Sequence, residues 1–124
     1  MSEEFAYPNS FDDVVKLQQV PAVAIDHNSF FTFVNEMFTK TYGWTSDELL
    51  SQAVTRIMPE HMRNVHMVGF SRFLVTEQPR IIGKPVRVSI VCKNNEIMNV
   101  ELFIISDKKD GQWRFAAIIN PLMD

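Results

Sequence analysis

The chain has 124 residues, 46% of them hydrophobic and 22% charged, with a formal net charge of −3. That length suits one domain whose core closes without staples, and the composition is that of a globular protein rather than a disordered tail. Charges of both signs are scattered with no Lys/Arg run of the kind nucleic acid requires, and Cys92, the single cysteine, excludes an intrachain disulfide framework and a thiolate zinc site.

Residues Met1–Asn9 are acidic and polar, unlike a secretory leader, and no apolar run approaches membrane-spanning length, so a cytoplasmic, membrane-free protein is expected. Ser10 precedes Phe11, Val14, Val15 and Leu17, with Asp12 and Asp13 in the first turn; this predicts a short capped amphipathic helix that stops before Pro21. Its apolar face is too small to stand alone, so it packs on the domain or on a twin helix.

Two short β runs follow, Ala22–Asp26 and Phe30–Val34, separated by the turn signal His27-Asn28-Ser29. Asn35–Tyr42 reads as a helix closed by Gly43, and Thr45 or Ser46 caps a further short helix with Asp47 and Glu48 at its positive end. Pro59 opens a longer helix, Pro59–Thr76, which Gln78-Pro79 ends. Beyond it Val86, Val88, Ile90 and Cys92 alternate with Arg87, Ser89 and Val91, Met98, Val100, Leu102 and Ile104 alternate with Asn99, Glu101 and Phe103, and Trp113, Phe115, Ala117 and Ile119 form the last alternating set. Lys93–Glu96 and Lys108–Gly111 are the hairpin turns between them. The order β-β-α-α-α-β-β-β predicts an α+β fold, with helices covering the apolar face of an antiparallel sheet.

With these residues, that order resembles the PAS family of sensory domains over about Val20 to Asn120. The carriers are Ala24-Ile25-Asp26, Phe33-Val34-Asn35, Tyr42-Gly43-Trp44-Thr45-Ser46-Asp47-Glu48-Leu49-Leu50, Ile57-Met58-Pro59-Glu60, the Lys93–Glu96 turn, and Val100-Glu101-Leu102. The resemblance implies a five-stranded antiparallel sheet with helices on one face, in a PAS domain of residues 21–121 between an N-terminal extension (1–20) and a short tail (122–124). Asn94-Asn95 stands where the family often has Asp-Gly, and Asn120-Pro121 where it often has an Asp-Ile-Thr-like exit.

His66 is the sharpest candidate for chemistry. On a helical projection it shares a stripe with Met62, Gly69, Phe70 and Phe73, and all are expected to face the sheet. With Ile82, Val88 and Leu102 they form the expected ligand-binding set. Met58-Pro59-Glu60, His66, Arg72 and Ile81-Ile82-Gly83 are similar to haem-binding PAS oxygen sensors, which implies His66 as an axial iron ligand. In those sensors an Arg stands where this chain has Val86; Arg87 comes one residue late and is expected to face solvent. The plainer reading of His66, a core histidine, takes precedence. FAD is a further alternative, with Trp44 as pocket lining or packing plug; no Gly-x-Asn-Cys-Arg stretch is present, and Cys92 reads as a small core residue.

Other signals are weak. His61 and His66 lie on different helix faces, Asp12-Asp13 and Asp47-Glu48 sit at helix starts, and Ser29, Ser71 and Ser89 have no evident base nearby. No phosphate loop or nucleophile elbow is present. The expected function is a non-enzymatic sensory and signal-transduction module that binds a small apolar ligand or mediates dimerisation and protein interaction. The expected partners are a second copy through the N-terminal helix and an effector domain or partner protein.

Overall fold

The computed structural model describes residues 7–77 and 82–122. A Ser10 side chain accepting from the Asp13 N–H starts α1 (Phe11–Val15). β1 (Ala22–Asp26) and β2 (Phe31–Val34) follow, then α2 (Glu36–Tyr42), α3 (Ser46–Leu49) and a 3₁₀ turn at Val54–Ile57. The 17-residue α4 (Glu60–Thr76) leads to β3 (Val86–Val91), β4 (Ile97–Lys109) and β5 (Gln112–Pro121). The strands form one antiparallel sheet in the order β2-β1-β5-β4-β3. The Gln78-Pro79 stop lies outside the described residues, but Glu77 already leaves the helix at φ 56.

Local chemistry accounts for the joints. Asn35 caps α2, and Gly43 closes it at φ 89, with its N–H on Thr39 O. A Cβ at Gly43 would lie 3.0 Å from Lys93 Cβ, so both the backbone angle and the space require glycine there. Thr45 and Glu48 form a reciprocal capping box on α3.

The period-2 alternation sorts the strands onto two apolar faces. The inner face carries Val23, Ile90, Val100 and Ile119, packed under Phe38, Tyr42, Trp44 and Leu49 of the α2–α3 region. The outer face carries Ala22, Ala24, Phe103, Ala116 and Ile118, covered by Phe11 and Val14 of α1. Full burial of a side chain such as Phe38 or Leu49, both 0% exposed, contributes about 1.5–3 kcal/mol.

Helices α2 to α4 thus share the inner face, as expected, and the N-terminal helix α1 covers the other. The apolar side of α1, expected to meet its own domain or a twin, is spent on its own sheet: Phe11 is 8% and Val14 0% exposed. A homodimer through that side would have to strip it from the sheet. Arg114 locks it down, its guanidinium 3.8 Å from the Phe11 ring centroid and paired with Asp107 and Asp12. Tyr7 holds the preceding segment, stacking on Phe103 at 4.3 Å and donating to Glu101.

Candidate functional site

The site begins at the β1–β2 turn. Asp26 Oδ1 accepts the N–H groups of Asn28 and Phe30, forming an Asx-type turn. That geometry leaves Ser29 at φ 69 and 4% exposed, with its hydroxyl turned inward. His66 on α4 meets it, Nε2 lying 3.2 Å from Ser29 Oγ. The His66 ring stacks on Phe70 at 5.7 Å, and Phe70 packs on Phe115 of β5 at 5.3 Å. Phe73 closes the row against Trp113 (4.9 Å) and Phe115 (5.5 Å). At the end of the helix Glu77 pairs with Lys108, which also lies over Trp113.

Burial holds the His66 imidazole below its ordinary pKa, so it is neutral at pH 7. A neutral ring satisfies Ser29 as donor or acceptor according to its tautomer. Nothing in their sequence positions connects Ser29 with His66, and the sequence shows no base near Ser29. They are 37 residues apart, and only the tertiary path brings them together. As a nucleophile–base dyad the pair is incomplete: the hydroxyl is buried, and the His66 ring shows no hydrogen bond to an orienting carboxylate among the described residues. It is a tie between turn and helix.

Met62, His66 and Phe70 are half-buried and Phe73 is buried, as the stripe predicts. Gly69 is not on that face: it is exposed, with nothing within 4 Å of where its Cβ would stand. About 60° separates it from His66 on the helical wheel, enough to place it past the margin of the contact. Ile82 is half-buried and bridges to Ile104 of β4, while Val88 and Leu102 pack against the main inner core. Ile81 lies outside the described residues. Val86 is half-buried opposite Leu102 and Arg87 is exposed, as the one-residue slip predicts. Trp44 is 7% exposed and donates from Nε1 to Val91 O, which makes it a packing plug.

Two surface clefts lie away from the His66 stripe. One, of about 490 Å³, lies over Phe11, Phe33, His27 and Arg114 on the α1 side. The other, of about 550 Å³, lies between Pro59–His61 and Ile97. Neither is lined by His66, Phe70, Phe73, Ile82, Val88 or Leu102. A haem does not fit this arrangement, because His66 Nε2 is engaged by Ser29 and Phe70 lies against the ring. Among the described residues no group of three or more His, Cys, Asp or Glu is arranged to hold a metal ion, and no helix is long and apolar enough to cross a membrane.

A family model described as the PAS fold matches residues 10–107. A PAS domain from Desulfitobacterium hafniense superposes with a TM-score of 0.70 at 15% identity, covering 89% of this chain and 99% of that one. The PAS domain of an HTR-like protein from Haloarcula marismortui gives 0.67 at 15% identity, covering 90% of each chain. A PAS domain from a two-component sensor histidine kinase gives 0.68 at 12% identity, covering 89% of this chain and 91% of that one. No curated protein matches the sequence at a significant level.

Proposed function

The chain belongs to the PAS family, and we propose that it is a non-enzymatic sensory module in which displacement of α4 from the sheet is the signal. One observation carries this reading: α4 is seated lightly, and among the described residues a polar side-chain contact, Ser29–His66, ties its middle to the β1–β2 turn. Phe73 is its one buried residue, while Val65, Met67, Val68, Leu74 and Val75 are all exposed. An element held by few apolar contacts lies at the low-stability end of a fold and moves first. A small apolar ligand that inserts between α4 and Phe115 stabilises the displaced state by its differential affinity for it. A partner protein that grips α4 has the same effect. Kinship in fold with a sensor histidine kinase domain supports a signalling role. The alternatives, haem held by His66 and FAD beside Trp44, gain no support from the geometry.

Indole, an apolar heterocycle of suitable size, is the test probe in a titration followed by amide NMR. Shifts concentrated at Ser29, His66, Phe70 and Phe115, and weakened in Phe70→Ala, are the expected result. Shifts confined to the two surface clefts, or none at all, would contradict the reading.

A further inference from the structure

The side of α4 that faces away from the sheet carries a second pattern. His61, Val65, Val68, Arg72 and Val75 follow one another at intervals of four, three, four and three residues, the spacing of a coiled-coil seam. All five are exposed, with Val65 at 66%, Val68 at 54% and Val75 at 84%. The seam runs along a 17-residue helix, about 25 Å long, which presents two heptads. Beside it stand Asn64, Gly69, Ser71 and Thr76, all uncharged. The open space around Gly69 lets another backbone come close. The three valines add nothing to the chain's own core, and β-branched residues are mediocre helix formers, so their regular spacing on the solvent side is unexplained by the fold.

We propose that this seam docks one amphipathic helix of a partner protein, and that the partner carries an acidic side chain within its own apolar seam, opposite Arg72. Charge selects this occupant over a second copy. Arg72 makes no ion pair among the described residues, and neither the seam nor its flanks hold an acid. Two copies would bury the guanidinium against valine, histidine or another Arg72, which leaves a desolvated charge unpaired. A partner carboxylate satisfies it and fixes the register of the two helices, as buried polar positions do in coiled coils. The proposal extends the docking side of the sensory reading and stands or falls separately from the His66–Ser29 tie, which lies on the other face of α4.

The probe is a synthetic three-heptad peptide with Ile and Leu in its seam and one central Glu, compared by fluorescence anisotropy with the same peptide carrying Lys. The Glu peptide is expected to bind at least about tenfold more tightly. Arg72→Glu should reverse the preference. Val68→Asp, at an exposed site, should abolish binding while leaving helix content and the His66 titration unchanged. Equal affinity for both peptides, no reversal in Arg72→Glu, or no binding of either at about 100 μM would overturn the proposal. A dimer of the unliganded chain that Val68→Asp dissolves would assign the seam to a second copy instead. Vesicle binding by the chain that Val68→Asp abolishes would assign it to a lipid surface.

Discussion

Asn35 makes four hydrogen bonds through one buried amide. Its Oδ1 accepts from Phe38 N and Ala22 N, and its Nδ2 donates to the carbonyls of Leu17 and Val20. One side chain therefore caps α2 and fixes both the approach to β1 and the start of the strand. Asn35→Ala loses a cap and strands the Ala22 N–H and two carbonyls, so a loss of about 2–4 kcal/mol is expected in urea unfolding. A loss below about 0.5 kcal/mol, the size of an ordinary surface change, would show that water replaces the amide. The cap is a local bond, joining Asn35 to a residue three positions on. The other bonds reach 13, 15 and 18 residues back, and nothing local specifies them. Ser29–His66 was hidden for the same reason.

At the scale of elements, α2 and α4 differ in what their sequences reveal. Asn35 and Gly43 bracket α2 with side-chain and backbone chemistry that is visible locally, and its ends fall where those residues put them. The inner stripe of α4 was legible at Met62, His66, Phe70 and Phe73, but Gly69 at its margin was not, because an angular pattern does not show how wide a contact is. β4 runs to Lys109, beyond its readable alternation, because pairing with β5 continues through Asp107↔Arg114 to Lys109↔Gln112. The role of α1 was open between two surfaces until the sheet's outer apolar face was seen beneath it. Removing residues 1–16 uncovers Ala22, Ala24, Phe103, Ala116 and Ile118, a contiguous patch of the kind that drives association. Sedimentation should show the truncated chain at a higher mass than the full one. An unchanged mass would mean that α1 is not needed as a cover.

The whole molecule is a sheet with a different cover on each face: α1 locked by Arg114 outside, α2 and α3 packed firmly inside, and α4 laid across the β5 end through an aromatic row and one histidine. Three hairpin-linked strands after a helical segment were enough to infer the antiparallel sheet, whose order follows from β1 pairing with both β2 and β5. How much room lies beneath α4 was not legible, since it depends on how closely the helix approaches the sheet. The central claim is that a neutral His66 ties this helix down. Its native pKa lies below the unfolded value of 6.5, so the unfolded or undocked state binds more protons in acid. The docking stability is fully present above that value and is lost as pH falls below it. Hydrogen exchange of α4 amides at about pH 7.5 and about pH 5.5, corrected for intrinsic rates, measures this directly. The account predicts that protection in α4 falls at the lower pH while β1 and β5 keep theirs, and that His66→Gln removes the difference. Equal α4 protection at both pH values in the unmodified chain, or a His66 that titrates at or above 6.5, would contradict it.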